Sequence, residues 1–268
     1  MSYPMGWHVL IVLVALGTAC QPAPAAPSSA APQPTLAAVL PTPGSPATTV
    51  PTAQPAAKPG GQVVYANVGS DVRILNPILQ SDTVSGAVTD RLFEPLVQED
   101  AKTGVPIPAL AESWTISPDG LVYTFKIRGG VKFHDGHPMT ADDAKFTLDI
   151  LKTNKVKSVR TADVEKVQSV EVLDPLTLRV TLSEGFCPFL DSLRALGVLP
   201  KHLLENTTDL NEDPFNLKPI GTGPFSFVEW VKDDHVTLQA NAAYWMGGPH
   251  TTALSFDPSR IAARCWLS

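Results

Sequence analysis

The chain has 268 residues, of which 44% are hydrophobic and 17% charged, and a formal net charge of −6. That length allows one or two domains with an ample core. The acidic balance gives no general argument for nucleic acid or an anionic membrane surface as a partner.

Charge is unevenly placed. All 26 acidic residues lie after Gly60, and of the 20 basic residues only Lys58 lies before it. Residues 9–19 form an uninterrupted run of apolar and small side chains ending at Cys20. The run is too short to span a bilayer comfortably and suits a signal-peptide core. Leu16-Gly-Thr-Ala-Cys20 resembles a lipoprotein processing site, which makes Cys20 the expected lipidation point. The segment before it lacks Lys and Arg, and Gly17 stands where leucine is common. A plain secretory signal, or an N-terminal anchor with an incidental cysteine, is the alternative. Residues 21–60 are rich in Pro, Ala, Thr and Ser. Such a stretch cannot bury enough apolar surface to offset its ordering entropy, and proline stiffens it toward extended polyproline II. It is expected to be a tether.

The folded part is expected to begin near Gly61. Gln62-Val-Val-Tyr-Ala66 reads as a strand, Asn67-Val-Gly-Ser-Asp71 as a loop and Leu75-Asn-Pro77 as a turn. Residues 84–98 contain a helix and a strand, with Phe93, Leu96 and Val97 as core candidates. From 106 to 151 the pattern predicts three short strands punctuated by turns, then a helix. Pro118-Asp119-Gly120 supplies one turn. Leu121, Tyr123, Phe125 and Ile127 alternate with Val122, Thr124, Lys126 and Arg128, a period of two that assigns the first set to a buried face. Asp135-Gly136 ends the third strand. Thr140 with Asp143 three residues on makes a capping-box pattern, and Ala144, Thr147, Leu148 and Leu151 follow at helical spacing. Residues 152–166 are mildly basic but diluted by Asp163 and Glu165, which suits a solvated face.

Residues 167–182 read as two strands around Asp174-Pro175. A short helix is predicted over residues 191–196, and another begins near Pro200. In Ile220-Gly-Thr-Gly-Pro-Phe225 the glycines permit positive φ or a close backbone approach. Pro224 excludes a nucleotide-binding loop that enters a helix. Two more strands are expected over residues 225–230 and 236–241.

Chemistry is sparse. Cys20, Cys187 and Cys265 are too scattered for a zinc site. A Cys187–Cys265 disulfide stays open, beside the preferred reading of a buried Cys187 next to Pro188. His134 and His137 flank Asp135, but that segment reads as a turn rather than a metal site. Asp142 and Asp143 fit a helix N-terminus. There is no nucleophile elbow, His-Glu-x-x-His helix or phosphate loop. No catalytic residue, metal or cofactor is expected.

A long, ordered set of segments resembles bacterial extracellular solute-binding proteins of family 5, which feed ABC importers. The segments are Asp90-Arg-Leu-Phe-Glu-Pro-Leu-Val97, PALAESW ending at Trp114, SPDGLVYTFKIRGGVKFHDGHPMTADDAKF ending at Phe146, the 167–182 hairpin, Leu199-Pro-Lys-His202, Ile220-Gly-Thr-Gly-Pro-Phe225, and Asn241-Ala-Ala-Tyr-Trp-Met-Gly-Gly-Pro249. The resemblance implies an α/β (mixed α+β) fold like type II periplasmic binding proteins, present incompletely. Residues 82–182 would form the small lobe, and residues 61–81 with 183–250 part of the first large lobe. Residues 251–268 depart from the family pattern and read as an atypical tail, as from truncation or a frameshift.

The implied function is capture of di- or oligopeptides outside the cytoplasmic membrane and delivery to ABC permease subunits with a cytoplasmic ATPase. The chain would be held to the membrane by its N-terminal lipid, in the periplasm or on the outer cell surface. Nickel, haem or oligosaccharide binding, or a surface-tethered peptide-sensing module without transport, is the alternative. Peptide-binding members close two lobes over a ligand whose backbone pairs with the protein main chain. Asp71 stands where some peptide binders carry an acidic cleft residue. With it, Ser70, Gly221, Thr222, Gly223 and Trp230 are the candidate cleft residues.

Overall fold

Alternation of apolar and polar residues builds the middle of the chain. A computed structural model describes residues 60–66, 71–153 and 155–258. The lipidation candidate Cys20, the tether, Ser70 and Cys265 lie outside the described residues. The described strands and helices are β1 (Gln62–Ala66), α1 (Thr83–Leu92), β2 (Val97–Glu99), β3 (Pro106–Pro108), β4 (Ala111–Ile116), β5 (Val122–Ile127), α2 (Ala141–Ile150), β6 (Val167–Asp174), β7 (Thr177–Leu182), α3 (Phe189–Arg194), α4 (Lys201–Leu204), β8 (Phe225–Val231), β9 (His235–Ala240) and β10 (Ala253–Asp257). Short 3-10 turns lie at Val159–Val164, Leu210–Glu212 and Pro214–Asn216.

One antiparallel sheet has the order β4-β5-β7-β6. Tyr123, Phe125 and Ile127 on β5 are buried as their spacing requires, and Phe125 sits opposite Leu178 and Tyr123 opposite Val180. The third strand expected before Asp135 does not form. A single bridge joins Lys132 to Pro138, and the turn closes through Phe133 N–H donating to the His137 carbonyl at 2.9 Å. Proline cannot donate to a ladder, so pairing stops there.

Helix α2 packs on this sheet. The Asp143 carboxylate accepts the Thr140 N–H at 2.9 Å, the helix-end contact expected from the capping pattern. Asp143 is buried and also accepts the Lys201 N–H at 3.0 Å, while the Thr147 hydroxyl accepts the Leu199 N–H at 2.9 Å. The start of α4 is thus pinned to α2 by two hydrogen bonds that sequence spacing does not display.

The other four-stranded sheet has the order β1-β10-β9-β8, with β1 parallel to β10 and the other pairs antiparallel. Leu254, Ser255, Phe256 and Asp257 are buried. The sheet therefore runs on past residue 250, into residues expected to form a tail. Their place between β1 and β9 explains the burial: both strand edges are paired and Tyr65 stacks on Phe256 at 5.1 Å. Among the described residues, no helix is long and apolar enough to cross a membrane.

Candidate functional site

The candidate residues separate into two places, at opposite ends of β8. At the start of β8 lies a tight junction. A side-chain carbon on Gly221 would stand 2.0 Å from the Leu92 carbonyl oxygen, and one on Gly223 would stand 2.5 Å from that of Arg91. Close backbone approach, rather than a left-handed turn, is why glycine is needed here. Gly223 N–H donates to the Leu92 carbonyl at 2.9 Å.

His134 bridges the same loop. Its backbone N–H donates to the Gly221 carbonyl at 2.9 Å, and its Nδ1 accepts the Gly221 N–H at 3.2 Å. Because Nδ1 accepts, the ring proton sits on Nε2, which donates to the Gly223 carbonyl at 3.0 Å. Burial holds this imidazole below its usual range, in keeping with a neutral ring. Asn241 closes the knot, its Nδ2 donating to the Gly223 carbonyl at 3.1 Å.

Beside the knot, the buried Glu94 carboxyl accepts the Tyr244 hydroxyl at 2.6 Å and the Trp245 indole N–H at 2.9 Å. The Arg128 guanidinium lies over the Trp245 ring, 4.3 Å from its centre. Burial pushes Glu94 up, and these donors oppose the shift. Burial, then the adjoining Glu94 carboxyl, pushes the Tyr244 hydroxyl far above its ordinary range. Thr222 is buried nearby with its hydroxyl outside hydrogen-bonding geometry. Gly221, Thr222 and Gly223, expected in a ligand cleft, therefore hold the fold together, and none of them lines the groove described next.

That groove, of about 900 Å³, lies along β8 and its far turn. It brings together Asp71 and Trp230 of the sequence candidates and adds Arg73, Lys218, Phe227 and Lys232. Asp71 also supports the local backbone, because its carboxylate accepts the N–H of Val72 at 2.7 Å and of Asp233 at 2.9 Å. Asp233 has φ 62°, in the left-handed region, so Asp71 steadies a turn that would otherwise be strained. Trp230 is half-buried, and its indole N–H is buried without an acceptor. Glu229 faces His235 at 3.3 Å. Arg73, Lys218 and Phe227 belong to separate segments with no motif, so only the fold collects them.

Other expectations resolve simply. Both His134 ring nitrogens are occupied by backbone groups, and His137 stacks on His202 with ring centres 3.9 Å apart. Among the described residues, no group of three or more His, Cys, Asp or Glu side chains is placed to hold a metal ion. Cys187 is exposed and disulfide-bonded, where a buried thiol was the preferred expectation. Its segment runs over the surface between β7 and α3, which leaves its side chain outside the core.

With this geometry in place, comparison with known proteins is informative. The family model for bacterial extracellular solute-binding proteins, family 5 Middle, matches residues 105–263. The oligopeptide-binding protein AppA of Bacillus subtilis is 35% identical over 201 residues, covering 74% of this chain and 37% of AppA. The structure of AppA in complex with a nonapeptide superposes with a TM-score of 0.72, covering 75% of this chain and 40% of that one. A putative ABC transporter peptide-binding protein of Brucella ovis is 40% identical over 182 residues, covering 67% of this chain and 34% of the relative. The structure of NikZ from Campylobacter jejuni in complex with Ni(L-His) has a TM-score of 0.68 at 38% identity, covering 73% of this chain and 38% of NikZ. The chain spans less than half the length of each of these relatives.

Proposed function

The chain belongs to the bacterial extracellular solute-binding proteins of family 5, and from that premise we propose that it captures peptides outside the cytoplasmic membrane for delivery to an ABC permease. Members of the family are solute-binding proteins rather than enzymes. The observation that carries the reading is the groove along β8, where two separately nominated residues, Asp71 and Trp230, meet in a concave surface with apolar and charged walls. Relatives named as peptide-binding proteins favour a peptide over other solutes. In this reading Cys20 carries the lipid that holds the domain at the membrane, and residues 21–60 are the spacer. Residues 82–182 form a small lobe, and residues 61–81 with 183–250 belong to a larger one. Titration calorimetry of the full chain with defined tri- to nonapeptides tests the proposal. Saturable binding that weakens about tenfold or more in Trp230→Ala is expected, the scale of one well-packed anchor. Heat changes no different from buffer for every peptide would sink it.

A second reading, a nickel–histidine complex as ligand, draws support from the likeness to NikZ. Titrating the same protein with that complex separates the two, because the peptide reading requires no response to it.

A further inference from the structure

The chain contains three cysteines, Cys20, Cys187 and Cys265. Cys187 is exposed on the segment between β7 and α3 and is disulfide-bonded, so within one chain its partner is one of the other two. Those two differ in the chemistry open to them. Cys20 is the proposed lipid carrier. A sulfur bound to lipid as a thioether has no S–H left to oxidise, so Cys20 can serve the anchor or the disulfide but not both. Cys265 has no competing role. Strand β10 is paired on both edges and its last residue, Asp257, is buried, so the chain leaves β10 from a fixed point. Eight residues separate Asp257 from Cys265, a reach of up to about 28 Å when extended.

We infer that Cys187 pairs with Cys265, which leaves Cys20 for the lipid. The inference rests on the lipid reading of Cys20. In the step, each thiol gives up a proton, and together they pass two electrons to a protein disulfide outside the cytoplasmic membrane. That oxidant is reduced to its dithiol as the new S–S bond forms. The bond closes a loop that carries α3, α4, β8, β9 and β10. It joins the chain that follows β10 to the segment that follows β7, and it stabilises the fold by restricting the unfolded chain. Because Cys187 is exposed, the bond is open to reductants, and the stability of this part of the molecule depends on the redox state around it.

The test is peptide mapping of the full chain recovered from the envelope of a bacterium that processes lipoproteins. Free thiols are alkylated before lysis, and trypsin digestion proceeds without reductant. Trypsin releases residues 180–194 and 265–268, and one species joining the two, separated by reduction, is the expected result beside a lipidated Cys20. A Cys20–Cys187 link would overturn the inference and the lipid reading together. A lipidated Cys20 with alkylated Cys187 and Cys265 would overturn the inference alone, as would a Cys187 bond between two copies of the chain. A Cys187–Cys265 link with alkylated Cys20 would support the inference and remove the lipid reading. As a second readout, Cys187→Ser and Cys265→Ser should each lower the melting temperature by about 5 °C or more. The double variant should fall no further, because both substitutions remove the same bond. Shifts that add in the double variant would count against the pairing.

Discussion

The two ends of β8 use the same kinds of side chain in opposite ways. Before Phe225, the polar groups of His134, Asn241 and Glu94 are matched to donors or acceptors, and glycines let backbone meet backbone. Around Trp230, the cations Arg73, Lys218 and Lys232 form no ion pair with a described carboxylate, and an indole N–H has no acceptor. Apart from the Thr222 hydroxyl, which has no partner either, the first end is finished by folding, whereas the second leaves its cations for something else to complete. Motifs conspicuous in the sequence, such as Gly221-Thr-Gly-Pro and Tyr244-Trp, belong to the finished end. Prominence in sequence here marks tight packing, which tolerates few residue types.

The contrast can be broken most sharply at the junction. Gly221→Ala should cost more than about 3 kcal/mol or abolish folding, because backbone must move to admit a carbon where 2.0 Å is available. Gly129→Ala, whose added carbon would meet only Leu176 at 3.5 Å, should stay within about 1 kcal/mol in the same urea titration. Next in size is Glu94→Ala, which strands the Tyr244 hydroxyl and the Trp245 N–H and should cost about 1–3 kcal/mol by chemical denaturation.

His134 adds a pH signature. Its folded-state pKa lies below the unfolded value of about 6.5, so the unfolded chain binds the proton first as pH falls. Its stabilising contribution is therefore complete above the unfolded pKa and declines from there down to the folded one. Protonation would place a hydrogen on Nδ1, where the Gly221 N–H now donates. Melting temperatures recorded from pH 8 to 5 should show this decline, and His134→Gln should flatten that part of the profile. The smallest effects belong to the groove. Lys218→Met and Lys232→Met should each change stability by less than about 0.5 kcal/mol, as exposed positions do.

Much of the fold was legible because local chemistry announces it. The alternation at Tyr123, Phe125 and Ile127, and the Thr140–Asp143 capping pattern, specify β5 and the start of α2 without reference to the rest of the chain. Strand β10 was not legible. Leu254 and Phe256 do alternate with Ser255 and Asp257, but so short a run carries little signal by itself. All four are buried only because β10 is paired on both edges, with β1 and with β9. At Gly221 and Gly223 the sequence left two readings open, positive φ or close approach, and the packing against α1 decides for the second. Asp71 and Trp230 could be nominated singly, but their meeting depends on the turn after β8. Arg73 and Lys218 carry no local signal, since an exposed cation in a loop looks the same with or without a groove beside it.

Hydrogen–deuterium exchange of the full chain with and without saturating trileucine tests the division of labour most directly. The account predicts new protection confined to residues 71–73 and 227–233, with the amides of Gly221 and Gly223 already protected and unchanged by ligand. Ligand-dependent protection at residues 221–223, with none along the groove, would contradict it.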